Sequence, residues 1–165
     1  MKNVFFRTVA IIAIALVTMS LTANAQEQGD IAVGGSVALG SGNSYTNIGL
    51  SGKVQYNILE SIRAEGAFTY FLKKDYMSMW DLSVNGNYLL PINETMIVYP
   101  LAGLGVLGFK STGWSSDPKL CVNLGGGIDI TLTNNLIFNA EAKYKIVEED
   151  WSRFVLSAGI TFLFW

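Results

Sequence analysis

Residues Ile48 to Leu72 read IGLSGKVQYNILESIRAEGAFTYFL. Apolar side chains fall on every second position: Ile48, Leu50, Val54 and Tyr56, then Ile62, Ala64, Phe68, Tyr70 and Leu72. The other phase carries Ser51, Lys53, Gln55, Arg63, Glu65 and Thr69. A period of two marks a strand with one apolar face, because successive side chains point to opposite sides of the pleat. Asn57 to Ser61 supplies turn chemistry between the two runs, so the segment reads as a hairpin.

The same rhythm extends in both directions. Upstream, Ile31, Val33, Val37 and Leu39 alternate with Ala32, Gly34, Ser36 and Ala38. Downstream, Trp80 to Leu90, Leu120 to Ile130, Phe138 to Ile146 and Phe154 to Phe164 alternate likewise. A further strand, about Thr95 to Gly108, is apolar on both phases and contains Pro100. Proline removes a ladder donor, so a bulge or phase change is expected there. The total is eight strands, each longer than a soluble sheet needs, joined alternately by tight turns (Asn57 to Ser61, Pro91 to Glu94, Leu132 to Asn135) and looser loops. The expected fold class is all-β, a closed eight-stranded antiparallel up-and-down barrel that spans a membrane.

Composition narrows the function. Half of the 165 residues are hydrophobic, only 15% are charged, and mean hydropathy is +0.35. There is no histidine and only one cysteine, so the commonest general base, the commonest metal ligand and an internal disulfide are all absent. A net charge of −2 gives no basic footprint for nucleic acid. Met1 to Ala25 has a positive start (Lys2, Arg7), an apolar run (Val9 to Val17) and a small-x-small end (Ala23-Asn24-Ala25), the pattern of a cleaved signal peptide. Residues 26–165 are then the exported domain, and no later stretch has the roughly 18 apolar residues of a spanning helix.

Alternation does not say which phase faces lipid; size does. An eight-stranded barrel is only just wide enough inside for side chains. The apolar phase holds Phe68, Tyr70, Trp80, Tyr88, Tyr144, Phe154, Phe162 and Phe164, whereas the other is rich in Gly, Ser, Ala, Thr and Asn. Bulky residues outside and small ones inside fit a barrel in lipid. The inner phase carries Lys53, Arg63, Glu65, Asp81, Asp129, Glu141, Lys143, Lys145 and Arg153, five cations and four anions, read as a paired interior network. With the hairpin turning at Leu59, Lys53 would face Glu65, and Gln55 would face Arg63. Tyr45, Tyr56, Tyr70, Trp80, Tyr88, Tyr99, Tyr144, Trp151 and Trp165 sit toward strand ends, as interfacial girdles do. Gly35, Gly52, Gly66, Gly86 and Gly126 on the outer phase are expected to relieve curvature.

The closing segment, Ser157-Ala158-Gly159-Ile160-Thr161-Phe162-Leu163-Phe164-Trp165, resembles the terminal assembly signal of outer-membrane barrels, with Ser157, Gly159, Phe162 and Phe164 in its key places. Gly125-Gly126-Gly127-Ile128-Asp129, Thr133-Asn134-Asn135-Leu136 and Glu141-Ala142-Lys143-Tyr144 look like the penultimate hairpin of the same family. The chain resembles small OmpA/OmpX-type outer-membrane barrels over residues 26–165. Trp165 extends one residue past the usual aromatic end, and the peptidoglycan-anchoring role of longer family members is not expected to carry over. The resemblance implies the bacterial outer membrane, both mature termini in the periplasm, a monomer, and as partners the barrel-assembly machinery, lipid and lipopolysaccharide.

Other motifs dissolve on inspection. Gly103-Leu104-Gly105-Val106-Leu107-Gly108 matches the dinucleotide fingerprint literally, but Phe109-Lys110-Ser111-Thr112-Gly113-Trp114 after it is loop-like rather than helical. Asn93-Glu94-Thr95 is a formal glycosylation sequon, read here as a turn, and Cys121 is a filler on the small phase. Glu148 and Glu149 are adjacent in a loop and read as solvated charge. No enzyme activity, cofactor or metal is expected. Two functions stay open. One is a structural or surface-interaction barrel, with Tyr45, Tyr76, Trp114, Trp151, Lys73, Lys74, Lys110 and Lys119 as candidate contacts. The other is a passive porin-like channel for water, ions or very small solutes.

Overall fold

The computed structural model describes residues 28–42, 45–74, 77–111, 114–115, 118–147 and 151–164. The proposed signal peptide, Tyr76, Glu148, Glu149 and Trp165 lie outside the described residues. For Tyr45, Lys73, Lys74, Lys110 and Trp114 only the backbone is described.

Ten strands form one sheet: β1 (Ile31–Gly42), β2 (Tyr45–Leu59), β3 (Ile62–Lys74), β4 (Met77–Tyr88), β5 (Leu90–Asn93), β6 (Met96–Ser111), β7 (Trp114–Ser115), β8 (Lys119–Thr133), β9 (Leu136–Val147) and β10 (Arg153–Phe164). The pairing order β4-β3-β2-β1-β10-β9-β8-β6 closes through an additional β4–β6 ladder, which gives a ring of eight antiparallel staves. The short β5 continues the line of β4 along β6, and β7 is a two-residue return beside β6. Closure leaves no stave with an open edge, a requirement where no water can satisfy backbone N–H and C=O groups.

Every stave but β6, which is apolar on both phases, turns its bulky phase outward. Val33, Leu50, Phe68, Leu82, Leu104, Leu124, Tyr144 and Ile160 are exposed, while Ala32, Lys53, Ala67, Asp81, Leu101, Asn123 and Glu141 are buried inside. Glu60-Ser61, Glu94-Thr95 and Asn134-Asn135 make two-residue turns at the end that also holds the start of β1 and the end of β10. At the middle turn, the Thr95 amide and hydroxyl both donate to Asn93 Oδ1, at 2.9 and 3.0 Å, so the formal sequon is a side-chain-braced turn.

Two expectations about this frame need correction. The β2–β3 register places Lys53 opposite Ala67, Gln55 opposite Glu65 and Asn57 opposite Arg63, two residues from the expected pairing. The tight turn sits at Glu60-Ser61 rather than at Leu59, with a register shift between Asn57 and Leu59. Around Pro100 there is neither bulge nor phase change: β6 keeps one unbroken register with β8 from Met96↔Ile130 to Leu107↔Lys119. On the other side the strand lapses at Leu89 between β4 and β5, yet the register with β6 is the same before and after it, Asn87↔Leu101 and Leu90↔Val98, and the Leu89 amide donates to the Ser61 carbonyl at 2.8 Å in continuation of the β3–β4 ladder.

Among the glycines of the outer phase, a Cβ at Gly52 or Gly66 would meet nothing and one at Gly35 or Gly86 would make only ordinary contact, while one at Gly126 would come within 3.0 Å of the Tyr99 carbonyl oxygen. On the inner wall a Cβ at Gly103 would strike the Val84 carbonyl and Asn85. The fingerprint-like Gly103 to Gly108 run is continuous strand, with the Trp80 ring lying against Gly108 on the outside.

Candidate functional site

All nine charged side chains of the inner phase are buried: Lys53, Arg63, Glu65, Asp81, Asp129, Glu141, Lys143, Lys145 and Arg153. They are stacked in tiers along the barrel. Nearest the turns, Arg63 on β3 reaches across to Asp129 on β8, with Nη1 donating to Oδ2 at 2.7 Å, and its guanidinium lies 4.6 Å from the Tyr99 ring centroid.

The middle tier holds two lysines and two glutamates. Lys53 Nζ donates to Glu141 Oε1 at 2.6 Å, and Lys143 Nζ lies 2.8 Å from Glu141 Oε2. Glu65 is 3.7 Å from Lys53 and 3.8 Å from Lys143, so the expected Lys53–Glu65 pair exists but is the longer of the two contacts made by Lys53. Gln55 and Asn85 donate to the two Glu65 oxygens at 2.9 and 3.0 Å, and the Tyr99 hydroxyl donates to Glu141 at 2.9 Å. Each carboxylate therefore has a cation and neutral donors, the condition under which ion pairs survive burial.

Toward the loops, Lys145 Nζ lies 2.6 Å from Asp81 Oδ2 and donates to Asn123 Oδ1 at 3.0 Å. Asn123 in turn donates to Asn85 at 2.9 Å, which joins this tier to the middle one. Above them, Phe71, Met79, Leu107, Phe109, Cys121, Val147 and Val155 form an apolar cluster that fills the mouth. The exposed Trp151 packs on Phe109, ring centroids 4.6 Å apart. A smaller cluster of Leu89, Ile97, Tyr99 and Leu101 fills one side of the turn end.

A cavity of about 10 Å³ lies beside the charged tiers, lined by Lys53, Asp81, Glu141, Lys143 and Lys145 and by hydroxyls such as Ser36 and Thr69. That volume holds roughly one water molecule. Among the described residues no group of His, Cys, Asp and Glu has the arrangement of a metal site.

The alternation signal missed several inner residues. Tyr99, expected in a girdle, is 2% exposed and points inward, because on β6 both phases are apolar and the odd one faces the interior. Phe109, on the same strand, is inside for the same reason, while Phe71 ends the inner phase of β3 that carries Arg63, Glu65 and Ala67. The buried amides Asn47, Asn57, Asn87 and Asn139 were legible only as members of a polar phase. Of the four terminal-signal residues, Phe162 and Phe164 face outward with rings 5.1 Å apart, while Ser157 and Gly159 lie on the inner phase.

A closed barrel whose described outer wall is apolar and uncharged, around an ion-paired interior, is the architecture of a protein that crosses a membrane with strands. The chain belongs to the outer membrane protein beta-barrel domain family, whose model matches residues 10–162, and this places it in the bacterial outer membrane. Its fold is similar to the Neisserial surface protein A, with a TM-score of 0.67 at 14% identity over 81% of this chain and 95% of that one. It is similar also to the N-terminal β-barrel domain of OprF from Pseudomonas aeruginosa, with a TM-score of 0.68 at 14% identity over 84% and 100%. Ail, the attachment invasion locus protein of Yersinia pestis, gives 0.57 at 22% identity over 83% and 99%. No curated protein sequence matches the chain.

Proposed function

We propose that the protein is a closed, non-enzymatic barrel that works through its loop end, holding short loops at the bacterial surface against a partner or the lipopolysaccharide layer. The observation that carries this reading is the filled interior among the described residues: tiers of ion pairs, an apolar cluster toward the mouth, and a cavity of about 10 Å³ beside the charges. Eight staves leave little room for a channel even without such filling. The exposed Trp151 ring at the mouth supplies an aromatic contact of the kind that anchors interfaces. The names of two fold neighbours, a surface protein and an attachment invasion protein, fit a surface role. The absence of histidine removes the usual base for acyl or peptide hydrolysis.

The reading includes export by the segment ending at Ala25, insertion as a monomer by the barrel-assembly machinery through Ser157, Gly159, Phe162 and Phe164, and both termini in the periplasm. Single-channel recording on the folded domain, residues 26–165, in a planar bilayer tests it. Heat-dependent gel mobility establishes folding beforehand. The expected result is silence from a demonstrably inserted barrel. Discrete, reproducible steps would replace this reading by a small-solute pore.

A further inference from the structure

The interior charges do not balance tier by tier. Arg63 and Asp129 cancel near the turns, and Lys53, Lys143, Glu65 and Glu141 cancel in the middle. Toward the loops, Asp81 stands against both Lys145 and Arg153. Asp81 and Asn123 are committed to Lys145. Lys145 and Arg153 are themselves direct cross-strand neighbours on β9 and β10, an arrangement that repels.

Arg153 is 5% exposed and has no carboxylate at ion-pair distance among the described residues. Its guanidinium lies 4.6 Å from the centroid of the Phe71 ring, one nitrogen contacts Met79 Sδ, and Nε has no hydrogen-bond partner. A ring face and a thioether offset far less than the cost of burying a guanidinium without an anion. Gly40 forms the floor beneath it, since a Cβ there would collide with the guanidinium. Asn47 is the cross-strand partner of Gly40, and its buried side chain also has an unpartnered amide oxygen. Turned over, that amide would present N–H donors where its unpartnered oxygen now lies.

We propose that Arg153, with Asn47 beside it, is an anion site just inside the loop-end mouth, taking a single oxyanion group of the phosphate, sulfate or carboxylate class. The guanidinium fork matches such a group in two-point geometry, and the surplus positive charge of this tier favours it. The site is separate from the surface contacts of the loops and does not depend on them.

Thermal unfolding of the folded barrel in detergent micelles, with inorganic phosphate against sodium chloride at matched ionic strength, tests the site. Phosphate should raise the Tm of the native protein by several degrees in a saturable manner, through preferential binding to the folded state. Arg153→Gln should abolish that rise while leaving the Tm without phosphate equal or higher, because it removes an unpaired buried charge. Arg153→Lys should retain only part of the phosphate effect. Glucose 6-phosphate distinguishes the sources: a matching rise means that the mouth admits the group on a carrier, and a rise with inorganic phosphate alone means a free-ion site. No phosphate-specific rise in the native protein, or an equal rise in Arg153→Gln, would overturn the proposal. A lower Tm or loss of folding in Arg153→Gln would make Arg153 a structural residue and overturn it as well.

Discussion

The middle and loop-end tiers of the interior use the same residue types to different ends. In the middle, two lysines face two glutamates, and Gln55, Asn85 and Tyr99 complete the carboxylates' hydrogen bonding. At the loop end, two cations share one aspartate, and the space above is closed by Phe71, Met79, Phe109 and Val147 rather than by polar groups. A balanced tier is a cross-brace between opposite walls. In the loop-end tier Lys145 and Arg153 face each other across β9 and β10, a repulsion that the proposed anion would relieve.

Removing charges should expose this difference in sign. The largest effect is expected where a balanced pair loses one member: Arg63→Met leaves Asp129 buried without its cation and should cost about 3–5 kcal/mol. The double variant Arg63→Met with Asp129→Leu should recover most of that loss, as read by urea unfolding of the micelle-bound barrel. A similar loss in the double variant would mean that the pair is not what braces the turn end.

Lys143→Met should cost less, about 1–3 kcal/mol, because Lys53 still holds Glu141 at 2.6 Å. If it costs as much as Arg63→Met, the two lysines act as one unit and the middle tier is more cooperative than its pair distances suggest. Glycine substitutions sharpen the contrast between walls. Gly103→Ala, pressed against Val84 and Asn85, should destabilise by about 1–3 kcal/mol, whereas Gly66→Ala on the open outer wall should change stability by less than about 1 kcal/mol. Equal effects in the same assay would remove inner-wall crowding as the reason for glycine.

A smaller effect than at the charged tiers belongs to the cap. Trp151→Ala removes the ring packed on Phe109 and should cost about 0.5–1.5 kcal/mol, with the charged tiers beneath undisturbed. Hydrogen exchange at β4 and β9 amides would reveal any spread of the change into those tiers.

The sequence made the barrel legible because membrane-spanning strands leave one signal, the period of two, and the size of an eight-stave barrel decides which phase faces in. It marked the nine interior charges for the same reason. It did not reveal who pairs with whom, because partners such as Lys53 and Glu141 lie on β2 and β9 and meet only across the closed cross-section. Tyr99 was misplaced because β6 is apolar on both phases, so its orientation is set by neighbouring staves rather than by its own pattern. Pro100 was expected to distort its strand, yet the register runs past it unchanged toward both neighbours, because pairing on either side of the one missing donor holds the strand in line. The surplus charge at Arg153 was visible as five cations against four anions, but its location required the tiers.

The pairing of β1 with β10 joins the two extremes of the barrel, from Ile31 against Phe164 to Gly42 against Arg153. Every other stave finds a neighbour close by in the chain, so hairpins can form progressively, whereas this seam brings together the most distant contacts in the molecule. Such contacts carry the greatest loop-closure entropy and come slowly. Until the seam forms, two strand edges stay unpaired, a condition that hydrocarbon penalises strongly. Closing the ring is therefore the commitment step of folding, and a chain that ends before β10 would keep both edges open however well its other hairpins had formed.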